Sequence, residues 1–208
     1  TTLHYSILKD DQCTAETPCP AIVEVYGGPL VQTVRRSWTS GRDQAFARAG
    51  YVVFRLDNRG SWNRGHAFEA ALHRRMGGVE VEDQLAGLDF LKAQPFVDSA
   101  RIGLRGWSYG GYMTLMTTLT APGAFASGIA GAPVTDWAKY DTHYTERYMG
   151  APQDNPDGYA QGAPVNLAEN YETPLFIIHG MSDDNVTFDN TTAMVLALQQ
   201  AGKQFDLM

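Results

Sequence analysis

"RGWSYGGYM" (residues 105–113) sets a serine between glycines, at the junction of two segments of different periodicity. Ser108 is either a turn residue with small neighbours or a nucleophile that needs them. The flanks decide. "RIGLRGWS" (101–108) reads as a strand and "GGYMTLMTTLT" (110–120) as a helix. Gly106-Trp107-Ser108-Tyr109-Gly110 is therefore G-x-S-x-G at a sharp strand-to-helix turn. Such a turn strains the backbone at the serine, and a Cβ at Gly106 or Gly110 would collide with neighbouring backbone. It lifts the hydroxyl above the sheet edge and points a helix N-terminus at developing negative charge. Ser108 is the candidate nucleophile.

Working outward, short apolar runs alternate with helical segments, the pattern of a mostly parallel sheet with crossover helices on both faces. "AIVEVYGG" (21–28), "YVVFRLDNRGS" (51–61), "FASGIAGAPV" (125–134) and "TPLFIIHG" (173–180) read as strands, and "KQFDLM" (203–208) begins another. "VEDQLAGLDFLKAQ" (81–94) puts Leu85, Leu88 and Leu91 on one side at helical spacing. "NTTAMVLALQQAG" (190–202) reads as a helix with Asn190 as cap and Gly202 as stop. No repeat or low-complexity linker interrupts residues 1–208, which are expected to form one α/β domain.

A net charge of −7 argues against nucleic acid or an acidic membrane surface as partner. No apolar run approaches the roughly 18 residues of a membrane span, and no signal peptide opens the chain. Because Thr1 rather than Met stands first, the chain is expected to be processed or part of something longer, and the compartment stays open. Cys13 and Cys19 flank a short polar loop and are either a disulfide or two thiols. "DNPDG" (154–158) lacks the closing Glu of a calcium loop and reads as a turn, so no metal or organic cofactor is expected.

A serine needs a base, and the base an orienting acid. With this turn the chain order is Ser, then Asp or Glu, then His. "FIIHGMSDDNV" (176–186) supplies an acidic loop just past a strand, on the same rim as Ser108; spacing does not separate Asp183 from Asp184. No histidine follows. His143 and His179 both precede the acids, and His179, at the end of a buried strand, reads as structural. In "EVYGGPL" (24–30) the Tyr26 hydroxyl, with the backbone N–H of Tyr109, is a candidate oxyanion hole. In "EVEDQ" (80–84) the acids read as a helix start, with Glu82 or Asp83 in structural contacts, and Arg59 of "DNRGS" as a tie between loops.

Together "VYGGP", "LDNRGS", "EVEDQLAGLDFL", "GWSYGGYM", "APVTDWAKYDTHYTERYMG" and "HGMSDDNV" resemble the catalytic domain of the prolyl oligopeptidase family, in its dipeptidyl peptidase IV branch. The resemblance runs from Thr1 to Met208. It implies an α/β-hydrolase fold and a serine exopeptidase that removes N-terminal X-Pro or X-Ala dipeptides. By that resemblance Ser108 is the nucleophile, Asp183 the triad acid, and Tyr26 the oxyanion donor. Tyr109, Val134, Trp137, Tyr140, Tyr144 and Val186 match the pocket for the penultimate proline, and Asn185 a side chain that holds the substrate carbonyl. An aromatic box suits a proline ring, which offers only apolar faces. Without the resemblance, the aromatics of 137–148 read as a lid or core cluster.

Two departures qualify the match. The family's β-propeller, which grips the substrate amine, has no counterpart in these residues. Nor does the histidine loop that follows the strand begun by "FDLM". The expectation is a fragment cut at both ends, with C-terminal elements missing and little hydrolytic activity as it stands. The parent is expected to act on peptides and to be a homodimer, in bacteria commonly periplasmic. Two other readings remain: an acyl-peptide hydrolase or esterase on the same fold, separated by its acylated substrates, and a non-catalytic hydrolase-like binding domain.

Overall fold

A computed structural model describes all residues, 1–208. Seven strands form one sheet: β1 (His4–Leu8), β2 (Cys19–Val25), β3 (Val52–Asp57), β4 (Val97–Trp107), β5 (Ser127–Gly131), β6 (Leu175–Ile178) and β7 (Asp206–Leu207). Their order is β1-β3-β2-β4-β5-β6-β7. All neighbours pair parallel except β1, which runs antiparallel along β3. The apolar runs of β2 and β3 are what strands covered on both sides require.

Seven helices accompany the sheet: α1 (Gly41–Arg48), α2 (His66–Glu69), α3 (Val79–Lys92), α4 (Tyr109–Thr120), α5 (Thr142–Met149), α6 (Pro156–Gln161) and α7 (Asp189–Gln200). α1 lies on the face that carries Arg105, whose guanidinium sits 5.9 Å from the Phe46 ring. α4 and α7 lie on the other face, where Leu115, Leu119, Met194 and Leu198 pack on Ala130, Leu175 and Ile177. Helices thus cover both faces of a mostly parallel sheet. This is the expected α/β-hydrolase arrangement.

α4 is the hub. Every residue from Tyr109 to Leu119 is buried, so the helix is enclosed on all sides rather than along one stripe. Its threonines tolerate burial by bonding back to the helix: Thr114 Oγ1 donates to the Gly110 carbonyl at 2.9 Å, and Thr118 Oγ1 to that of Thr114 at 2.7 Å. Gly110 and Gly111 admit the neighbouring backbone, since a Cβ on either would strike the carbonyl of Val25 or Gly131.

Several boundaries differ from the sequence reading. β1 and α1 carry too short or too polar a pattern to announce themselves. Asn190 is not a cap: α7 starts at Asp189, and Asn190 is buried, its Oδ1 accepting from the Thr135 N–H at 3.0 Å. That bond ties α7 to the loop after β5. Within "DNPDG", Pro156 opens α6 rather than closing a turn. Arg59 ties its loop to helix α3 rather than to another loop, with Nε 2.9 Å and Nη2 2.7 Å from the carboxylate of Asp83. Cys13 and Cys19 are bonded as a disulfide that closes a ring of sequence separation 6.

Glu80, in the first turn of α3, is fully buried. Its Oε1 accepts from the Tyr109 hydroxyl at 2.8 Å and the Gly77 N–H at 3.0 Å, while Oε2 has no partner. Burial pushes its pKa up to about 7, against the lowering effect of those bonds.

Two stability tests follow from these features. Replacing both cysteines with serine should lower unfolding free energy by about 2 kcal/mol through loop-closure entropy, measured by urea unfolding. For Glu80, the folded state holds its proton more tightly than the unfolded chain. Its stabilising contribution is therefore complete below about pH 4.5 and lost as pH rises through about 7. Relative to E80Q, the wild type should lose on the order of 3 kcal/mol across that window. Parallel pH profiles of the two proteins would contradict this.

Candidate active site

Ser108 has φ 59° and ψ −120°, a left-handed conformation that a residue with a Cβ adopts only under constraint. Three contacts impose it. The Ser108 N–H donates to the Gly131 carbonyl of β5 at 2.9 Å, and its carbonyl accepts the Tyr112 N–H of α4 at 3.0 Å. Gly106 and Gly110 face each other so closely that a Cβ on Gly106 would overlap the Gly110 carbonyl. The collision expected from the sequence is thus present in space. Ser108 itself is part-exposed, beside Trp107, which is 54% exposed on the rim.

Tyr26 stands next to it, at the C-terminal end of the adjacent β2. Burial and the neighbouring Tyr140 phenol raise its pKa, while a hydrogen bond with the Ser108 side chain opposes them. Tyr26 therefore keeps its proton through the neutral range and can donate. The turn that carries it is held from behind. Asn58 Nδ2 donates to the Gly27 carbonyl at 2.8 Å, and Gln84 Nε2 donates to Asn58 Oδ1 at 2.7 Å. Gly28 has no room for a Cβ because the Tyr109 ring occupies that space. As the first residue of α4, Tyr109 has a backbone N–H without an intrahelical partner.

The aromatic residues form one contiguous group against this turn. Tyr109 and Trp137 have ring centroids 5.4 Å apart, Trp137 and Tyr140 5.8 Å, and Tyr140 and Tyr144 5.5 Å. Trp137 and Tyr144 stack at 6.2 Å. Val134 and Val186 belong to the same core cluster, both buried. Asp136 starts the 3-10 turn that carries Trp137 by capping Ala138, and Asp141 caps α5 through the Tyr144 N–H at 2.8 Å. Two polar caps thus aim the aromatic rings. Burial raises the pKa of the Tyr109, Tyr140 and Tyr144 phenols, for Tyr109 with the Glu80 charge adding to it.

The acidic loop sits past β6, two strands from Ser108. Asp183 Oδ1 accepts the N–H groups of Asn185 and Val186, each at 3.0 Å. Its Oδ2 lies 3.5 Å from His179 Nε2. Asp184 is exposed. Asn185 Oδ1 accepts the Tyr140 hydroxyl at 2.7 Å, which leaves its amide Nδ2 free to donate. Ser108 and Asp183 share the rim but make no direct bond. His179 is buried and committed, with Nε2 2.8 Å from the Val186 carbonyl and Nδ1 2.6 Å from Thr191 Oγ1. A carbonyl can only accept, so Nε2 donates to Val186, and both ring nitrogens of His179 are engaged in structural bonds.

Glu80, Asn58, Gln84 and Tyr148 support the site and were not singled out from the sequence for that role. Tyr148 meets Tyr144 edge to face at 4.9 Å and adds to the pKa rise of Tyr26. A groove of about 660 Å³ lies elsewhere, on the α1 face among Ile22, Phe46, Tyr51, Ile129 and Ile178. It contains none of the residues above.

Comparison with known proteins fits this geometry. The model of the prolyl oligopeptidase family matches residues 37–208. Dipeptidyl peptidase 8 of Mus musculus is 42% identical over 99% of the chain, and dipeptidyl peptidase 4 of Sus scrofa 41% identical over 91%. The chain spans about a quarter of the length of these relatives, 24% and 25%. The crystal structure of Porphyromonas gingivalis dipeptidyl peptidase 4 superposes with a TM-score of 0.95 at 38% identity, over 99% of this chain and 29% of that one. With a family match over most of its length and such relatives across nearly all of it, the chain belongs to the prolyl oligopeptidase family.

Proposed function

We propose that residues 1–208 are the catalytic domain of a serine exopeptidase that releases N-terminal X-Pro or X-Ala dipeptides. The observation that carries this is the left-handed Ser108 beside the Tyr26 phenol, with the next residue, Tyr109, packed between Tyr26 and Trp137. A hydroxyl on a strained turn, a retained phenolic proton and an apolar group of rings are thus neighbours. Dipeptidyl peptidase names among the relatives support the substrate class.

In this reading, Ser108 Oγ attacks the carbonyl carbon of the penultimate residue. The C–N bond breaks, the amine leaves with a proton, and an acyl-enzyme remains until water hydrolyses it. The Tyr26 hydroxyl and Tyr109 N–H donate to the tetrahedral oxygen. Tyr109, Val134, Trp137, Tyr140, Tyr144 and Val186 receive the proline ring. Asn185 Nδ2 donates to a substrate carbonyl, since Tyr140 occupies its oxygen. Asp183 orients the base. None of the five histidines hydrogen-bonds to Ser108, and His179 is engaged elsewhere. Proton removal from Ser108 therefore draws on a base from outside these 208 residues, and the chain alone hydrolyses slowly.

A fluorophosphonate probe read by intact mass tests this. Labelling of the 208-residue chain should be slow, accelerated by added imidazole, and absent in S108A. Labelling at the same rate in S108A would sink the nucleophile assignment. With the base supplied, Y26F should lower the acylation rate roughly 10²-fold while leaving KM nearly unchanged. Ala-Pro anilide should be preferred to N-acylated amino acids and short acyl esters; the reverse preference would favour an acyl-peptide hydrolase or esterase.

A further inference from the structure

One buried acid beneath the site is not used by the chemistry above. Glu80 faces Tyr109 and Tyr112 from α4, Tyr144 from α5, and the Gly77 and Gly78 backbone N–H groups ahead of its own helix. On that helix, Asp83 and Glu82 are turned to Arg59, so no cation is paired with Glu80. Its contact with the site is the 2.8 Å bond from the Tyr109 hydroxyl. Tyr109 itself contributes twice: its ring packs against Trp137 and Tyr26, and its N–H opens α4 beside Ser108.

We propose that Glu80 is a positioning residue of the proline pocket, whose ionisation tightens the bond to Tyr109 and so fixes both the pocket wall and the oxyanion N–H. This rests on the peptidase reading of Ser108. A carboxylate accepts a hydrogen bond roughly twice as strongly as a neutral acid. The carboxyl is fully enclosed, with Oε2 unpartnered; its charge is met by the backbone amides of Gly77, Gly78 and Glu80 itself, and Tyr109 is the one side chain that donates to it. Burial brings its titration up to about 7. Substrate affinity should then rise with pH through that region, because the wall that receives the ring is held more firmly.

The test uses the 208-residue chain, E80Q and Y109F, with alanyl-pyrrolidide as a pocket probe. In wild type, the Tyr109 amide resonance should titrate with a midpoint near 7; in E80Q it should be flat. Probe affinity should rise about threefold more between pH 6 and 8 in wild type than in either variant. The probe's own amine titrates equally in all three, so it cancels. A merely structural Glu80 would lower affinity in E80Q by the same factor at every pH. Binding with identical pH profiles in wild type and both variants therefore overturns the Glu80 proposal alone. Because the amine grip lies outside these residues, the probe is held by its pyrrolidine ring alone; a ring that does not bind even at saturating probe, at any pH in wild type, overturns the proline-pocket reading and the role of Glu80 in it. Y109F keeps Glu80 and removes the hydroxyl, so it gives the answer even if E80Q fails to fold.

Discussion

The backbone inversion at Ser108 is the constraint on which the rest of the molecule depends. A residue with a Cβ held at φ 59° costs of order 1–3 kcal/mol, and the surroundings must over-determine it. They do so by proximity. β2 and β5 stand on either side of β4, and their last carbonyls, Val25 and Gly131, press on the glycines that flank the serine. Three strands and one helix meet where no side chain fits. The enclosure of α4 follows from the same demand, since a helix that starts at such a turn must drop directly onto the sheet.

Around that point the site is assembled in two layers. The inner layer is aromatic: Tyr26, Tyr109, Trp137, Tyr140 and Tyr144 touch in sequence. The outer layer is polar and fixes it. Gln84 holds Asn58, which holds the turn of Tyr26; Glu80 holds Tyr109; Asp141 caps the helix of Tyr144. α3 thus supplies two of the supports, one turn apart, from the stretch "EVEDQ". Apolar rings set the shape of the pocket, and directional bonds from buried polar groups set where those rings stand.

Much of this was legible before any coordinates. G-x-S-x-G between a strand and a helix gave both the nucleophile candidate and the sheet type, because glycine is demanded there for steric reasons that the chain spells out. The resemblance supplied the aromatic set, and the rings do come together. The outer layer was hidden. Glu80 looks like any acid in a first helical turn, where the dipole alone explains it; only its burial against Tyr109 shows otherwise. Asn190 has the composition of a cap and serves as a tether, since tertiary contact outranks local preference. β1 pairs as an antiparallel edge, a partnership that short-range periodicity does not encode.

The strand order has a consequence for how the protein reaches this state. β2 and β4 are neighbours in space but separated by more than 70 residues along the chain, with β3 and α3 between them. The strained turn cannot close until both β2 and β5 flank β4, so it belongs to the late, non-local stage of folding. Any loosening of strand pairing would relax the serine first. Loss of the left-handed geometry would then precede loss of the sheet, and a partly opened molecule would be catalytically silent while still largely folded.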